Sequence, residues 1–254
     1  MEVDSRSTAA YGIAHILAAL TVSNHELRAK ALAEKDMSTE QYEQLAELQR
    51  IKTKDEHGNP LEEKKQDSDP DTPELVRRRI IKIVKSNGLP VLLNLLLNTS
   101  TQTKEAASRA LRQMCVEDSI RGQFVQLGGL KSCTAIAVDE ETPKPTRREC
   151  AHAIAKALVT TNPTMLTEHV RLGCIAPLLM LCRDPDSSNL QQFESCLALT
   201  NLTSCGDVEQ ERLVAEKGVH AVHYLMFSDH LMVRRAATEV FCNMPFHEAV
   251  LKVM

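Results

Sequence analysis

A glycine, or one residue standing in for it, precedes an apolar run four times along this chain: Gly88-Leu89, Gly129-Leu130, Cys174-Ile175 and Gly218-Val219, at spacings of 41, 45 and 44 residues. A period in that range, in units too small to bury their own apolar faces, predicts a solenoid of stacked helical units. Aromatic residues make up 3% of the chain and Trp is absent, a palette that suits helix-on-helix packing better than strands. Stacked helices present an extended wall instead of an enclosed pocket, so holding another macromolecule is the expected activity and catalysis is not.

Each unit reads as a helix ending at the glycine, a second apolar helix, a short polar break and a third helix rich in small residues, which is the armadillo plan. In the first complete unit, Thr72-Pro73-Glu74 supplies an N-cap, a first-turn proline and an early acid ahead of Leu75 to Val84. Gly88 is expected to stop that helix and turn the chain. Leu89 to Leu97 and Thr103 to Cys115 complete the unit. The second unit runs through Gly129 to a third helix with Thr146 and Glu149 as a capping box. The third opens at Asn162-Pro163, turns at Gly173-Cys174 and resumes near Asn189 with Gln192. The fourth opens at Asp207 with Gln210, and its last helix follows Ser228-Asp229. The expected fold is all-α, a right-handed armadillo superhelix (α-solenoid) of three-helix units. Four repeats fall at about 72–116, 117–160, 161–205 and 206–244, together 72–244.

Residues 1–23 read as an isolated third helix and 245–254 as the start of a further unit, so both ends cut the repeat and a portion of a longer protein is expected. Between them and the repeats, 24–71 is a charged insertion; the stretch 24–74 holds 14 acidic and 8 basic residues, a balance of −6 against +2 for the rest. Ser38 to Lys52 carries a helical stripe of Tyr42, Leu45, Leu48 and Ile51, and 53–71 reads as a loop. The chain's net charge of −4 argues against a nucleic-acid binder. Arg77-Arg78-Arg79, Arg147-Arg148 and Arg234-Arg235 read as solvated helix surface. The eight cysteines show no Cys-x-x-Cys spacing and mostly lie in apolar runs, as reduced core thiols would. No secretory signal or long uninterrupted apolar stretch is visible, which predicts a cytoplasmic protein with no membrane partner.

No phosphate-cradling glycine loop, His-Glu-x-x-His helix or Gly-x-Ser-x-Gly elbow is present; an enzyme, a cofactor and a metal site are not expected. His220 and His223, three apart with His230 nearby, lack the further ligands zinc requires. The third helices carry more information. Aligning their ends places Ala19, Gln113, Ala157, Asn201 and Asn243 in equivalent positions, so amides recur at one place except at Ala157 and Ala19. Such amides can hydrogen-bond an extended client backbone or, equally, cap and bridge helices within the stack. Phe193 and Glu194 begin the helix that carries Asn201; Phe193 reads either as core or as a residue facing the same way as Asn201. Gln113, Phe193, Glu194, Asn201 and Asn243 are therefore the candidate protein-binding residues.

The strings Arg121-Gly-Gln-Phe-Val-Gln-Leu-Gly-Gly-Leu-Lys131, Asn189-Leu-Gln-Gln-Phe-Glu-Ser-Cys-Leu-Ala-Leu-Thr-Asn-Leu202 and Glu216-Lys-Gly-Val-His-Ala-Val-His-Tyr-Leu-Met226, extended by Asp229-His-Leu-Met-Val-Arg-Arg-Ala-Ala237, resemble the UCS family of myosin chaperones, closest to the animal type. The resemblance covers most of residues 10–250. It implies an armadillo domain whose groove engages the myosin motor domain, assists its folding and prevents its aggregation without hydrolysing ATP. It also implies contact with general heat-shock chaperones through a tetratricopeptide module that this sequence does not contain. An adaptor that grips an extended peptide through the amide positions is the alternative reading.

Overall fold

The computed structural model describes residues 8–23, 72–97 and 100–253, and among these every regular element is a helix. The chain divides into two compact units, Met1–Ala19 with Ile83–Met254, and Leu20–Lys82. The stripe expected over Ser38 to Lys52 and the loop expected over 53–71 lie outside the described residues. In the smaller unit, Thr72 accepts through Oγ1 from the amide of Leu75 (3.4 Å) and so caps α2 (Pro73–Lys85). Arg79 of that helix donates to the Leu20 carbonyl (3.1 Å).

The larger unit holds α1 (Thr8–Leu20) and then a regular succession. Second helices are α3 (Gly88–Leu96), α6 (Gly129–Val138) and α11 (Gly218–Leu225), each preceded by a shorter-range partner, which for the last two is α5 (Asp118–Gln126) and α10 (Asp207–Ala215). Third helices are α4 (Thr101–Met114), α7 (Lys144–Thr160), α9 (Asn189–Thr203) and α12 (Leu231–Cys242), and α13 (Glu248–Leu251) follows. The third helices pack in series, α4 on α7, α7 on α9, α9 on α12, and the second helices stack behind them. Leu92, Leu111, Phe124, Ile154, Leu158 and Leu178 are fully buried. This is an α-solenoid of armadillo type. No described helix is long and apolar enough to cross a membrane.

The glycines at the elbows do a different job from the one their sequence position suggests. The left-handed residue is the one before: Asn87 (φ 65°), Gly128 (φ 79°) and Lys217 (φ 57°). The glycine itself opens the second helix where no side chain fits. A Cβ on Gly88 would lie 2.4 Å from Ile83 Cγ2, one on Gly129 2.4 Å from the Phe124 ring, and one on Gly218 2.8 Å from the Leu213 carbonyl oxygen. In every case the fifth residue back obstructs, and at Gly218 Leu179 Cδ1 stands equally close at 2.8 Å.

That geometry explains the third unit, which departs from the expected turn at Gly173-Cys174. Cys174 stands where the other units have that glycine, and a side-chain carbon in such an elbow would crowd the residue five positions back, as it would at Gly88, Gly129 and Gly218. The elbow does not form. A 3₁₀ turn at Pro163–Met165 is followed by one continuous helix, α8 (Glu168–Arg183), which runs through Gly173 and holds Pro177 in its interior. Pro177 has no N–H for the Gly173 carbonyl, so the helix gives up one bond there. Because a Cβ on Gly173 would touch only Thr134 Cγ2 at 3.7 Å, Gly173→Ala is expected to stabilise the fold by about 0.5–1 kcal/mol, read as a rise in the thermal midpoint of about 1–4 °C.

The caps also shift by small steps. α7 begins at Lys144 behind Pro143, so Thr146 lies inside the helix and forms no box with Glu149. The capping box of α9 is Ser188 with Gln191, one residue before the pair expected from sequence. Gly206 precedes α10 and leaves Asp207 in its first turn, where the acid complements the helix dipole. All eight cysteines are free thiols, six of them buried. Burial pushes the Cys174 thiol up to about 12 and Cys115 higher still, which makes them inert packing groups.

Candidate protein-binding wall

The four third helices in series place the candidate residues along one wall, and each has a local reason for its position. Asn201 sits in the last turn of α9, where the end of the neighbouring α7 leaves carbonyls without intrahelical partners. Its Nδ2 donates to Leu158 O (3.0 Å) and Val159 O (3.2 Å). Asn243, at the C-cap of α12, repeats the contact one unit later, donating to Thr200 O (2.8 Å) and Thr203 Oγ1 (3.2 Å). Gln113 is buried on α4 and accepts from Arg112 Nη1 (3.2 Å). The amide N–H groups of Asn201 and Asn243 are thus engaged in clamping helix ends, while the side-chain oxygen of Asn201 reaches solvent with no partner among the described residues.

At Ala157, where the amide is missing, the small side chain is buried and an arginine from a first helix takes over the bridging. Arg121 of α5 donates through Nε to Cys115 O (2.8 Å) at the end of α4 and through Nη1 to Thr160 Oγ1 (3.4 Å) in α7. Gln210 of α10 has the corresponding place later in the chain, donating to Thr203 O (3.2 Å) and Asn243 O (3.0 Å).

Phe193 and Glu194 are both half-buried on α9. Glu194 is the hub of a cluster that sequence reasoning missed. Its Oε2 accepts from His152 Nε2 at 2.6 Å and its Oε1 from Lys156 Nζ at 2.9 Å, both from α7. His152 and Lys156 are only 4% and 5% exposed. Burial alone would raise the Glu194 carboxyl, but the bonds from His152 and Lys156 outweigh it and hold the group below the ordinary carboxylate range. Burial pushes the His152 ring down, more than the Glu194 bond raises it, with Lys156 and Arg112 adding to the depression. The ring is therefore neutral at pH 7, donating from Nε2, and its Nδ1 is buried without a partner.

One helix earlier, Arg112 of α4 pairs with Glu149 of α7 at 2.5 Å. At the far end of α7, Lys144 and Arg148 converge on the buried Asp184 that caps α8, at 2.8 and 2.9 Å. Burial opposes the charge on Asp184, yet these partners keep its carboxyl below the ordinary range. The wall from α4 to α9 is therefore laced by charges neutralised across repeat boundaries. Between α9 and α12 no ion pair crosses among the described residues, and Leu190 and Leu231 stand about half exposed at the starts of those two helices. The separations His152–Glu194 and Lys156–Glu194, 42 and 38 residues, lie near the repeat period, and that was the available signal.

Comparison with known proteins follows the same architecture. An armadillo/beta-catenin-like repeat model matches residues 78–116. The chain is 27% identical over 184 residues to Protein unc-45 homolog B of Xenopus tropicalis, covering 71% of this chain and 20% of that protein. It is 30% identical over 173 residues to the Danio rerio homologue, covering 67% and 18%. Among solved structures, UNC-45 from Drosophila melanogaster superposes with a TM-score of 0.66 at 31% identity, over 71% of this chain and 23% of that one. The myosin chaperone UNC-45 from C. elegans, in complex with an Hsp90 peptide, gives 0.63 at 27%, over 70% and 20%. A designed armadillo protein for modular peptide recognition shares the fold, with a TM-score of 0.55 at 17% identity over 69% and 76%. The chain spans about a fifth of the length of the UNC-45 relatives.

Proposed function

We propose, on the premise that over 71% of its length this chain is homologous to the UNC-45 (UCS-family) myosin chaperones, that it is a non-enzymatic chaperone segment. In this reading the third helices line a concave groove that binds the myosin motor domain, assists its folding and prevents its aggregation. The observation that carries the proposal is the uninterrupted series of α4, α7, α9 and α12, with Phe193 and the solvent-facing oxygen of Asn201 on the same helix. Partly folded clients expose apolar side chains and unpaired backbone amides. Phe193, Leu190 and Leu231 supply apolar contact, and the Asn201 oxygen supplies an acceptor that is indifferent to client sequence.

Four repeats over 72–244, flanked by partial units and carrying the insertion 24–71, accompany this reading. A cytoplasmic setting fits it, and contact with general heat-shock chaperones is assigned to segments other than this one. Gln113 and Asn243, engaged within the stack, shape the groove, while Phe193, Glu194 and Asn201 lie closest to the client. The fold shared with the designed peptide-recognition armadillo protein favours one second reading, an adaptor for an extended peptide.

Light scattering of a heated myosin motor fragment tests the proposal. The wild-type protein is expected to suppress aggregation at near-equimolar ratio. Phe193→Ala together with Leu190→Asp is expected to lose most of that suppression while keeping the helical circular-dichroism signal. Absence of suppression by the wild type, combined with tight binding of an unstructured peptide, overturns the chaperone reading in favour of the adaptor.

A further inference from the structure

The His152 ring is held at the α7–α9 boundary in one protonation state only. Its Nε2–H is committed to Glu194 Oε2 at 2.6 Å, and the other carboxylate oxygen is taken by Lys156 Nζ at 2.9 Å. Nδ1 is fully enclosed with no hydrogen-bond partner, on a residue 4% exposed. The charges around it already balance. Arg112 of α4 is matched by Glu149 of α7, and Lys156 of α7 by Glu194 of α9. The carboxylates on the other helices packed on α7 are committed or exposed: Asp118 of α5 pairs with Arg121 at 2.8 Å, Glu105 of α4 with Arg109 at 3.8 Å, Glu168 of α8 is exposed, Asp184 at the C-cap of α8 is held by Lys144 and Arg148, and the one charged residue of α6, Lys131, is exposed.

We propose that His152 is an acid-sensitive latch on the third-helix wall: while α7 and α9 are joined a proton on Nδ1 has no acceptor, and the one carboxylate beside the ring, Glu194, is already matched by Lys156, so acidification opens the wall between them. The direction follows from proton linkage. The joined wall excludes the proton, whereas the separated wall exposes an ordinary imidazole with a pKa of about 6.5. The separated form therefore binds more protons, and stability at this boundary is full above that value and falls as pH drops through it. A fully excluded proton raises the opening equilibrium by at most about 25-fold between pH 7 and pH 5. The latch belongs to the free protein and does not depend on which client the wall holds.

Amide hydrogen exchange on the intact chain tests this, with rates corrected for the intrinsic effect of pH. Protection in the facing turns of α7 and α9 is expected to fall by about 10-fold to 25-fold from pH 7 to pH 5 in the wild type. His152→Gln keeps a side-chain N–H for Glu194 and has nothing to protonate, so its protection should change less than about 3-fold over that range. Equal losses in the two proteins, or a wild type indifferent to pH, overturn the proposal. Should the variant fail to fold, nitrogen NMR of the wild-type ring decides the matter. A neutral Nε2–H tautomer persisting to pH 5 in the folded protein supports the latch, and titration of the folded ring at an ordinary midpoint refutes it.

Discussion

Replacing Gly129 by alanine is expected to cost about 3 kcal/mol of stability, at the upper end of what overpacking a core does. The added Cβ would lie 2.4, 2.4 and 2.7 Å from three atoms of the Phe124 ring. Phe124 is fully buried, so its ring has nowhere to swing without displacing core neighbours. The strain has a steric origin alone, because the left-handed conformation at this elbow belongs to Gly128. Gly122→Ala is the matched control: a Cβ there meets nothing within 4 Å, and on a helix alanine should be neutral or stabilising. Urea midpoints of the two variants check the contrast; equal midpoints would show that the elbow tolerates a side chain.

Glu194→Ala is expected to cost about 3–5 kcal/mol, the range for removing one member of a buried ion pair. The loss comes from what stays behind. Lys156 would keep its charge at 5% exposure with no carboxylate to meet it, and His152 Nε2 would join Nδ1 as an enclosed group without a partner. Replacing both charges with apolar groups, as in Glu194→Leu with Lys156→Met, should recover most of the loss. Chemical denaturation of the single and double variants reads this directly. A double variant as unstable as the single one would mean that Glu194 acts through packing and not through its charge.

Much of this architecture was legible because it is written in local chemistry. The apolar runs at Leu89 to Leu97 and Leu130 to Val138, the proline after Thr72 and the recurring glycines fix helices and their period without reference to distant contacts. The continuity of α8 was not legible, since the crowding that a side chain meets in such an elbow is a distance that exists only once the elbow is built. The direction of the amides was open for the same reason. Asn201 and Asn243 can serve a client or a neighbouring helix, and the choice depends on carbonyls 42 or 43 residues earlier in the chain. His152, Lys156 and Glu194 were hidden by their ordinariness, because charged residues one repeat apart are common on solvated helices, and only burial distinguishes this set.

The exchange of one hydrogen for a thiol-bearing carbon at position 174 has a mechanical consequence. Where the other units bend at Asn87, Gly128 and Lys217, the third runs as a single 16-residue rod, about 24 Å long, with a weak point only at Pro177. The third unit therefore lacks the change of chain direction that the other units make between their first and second helices.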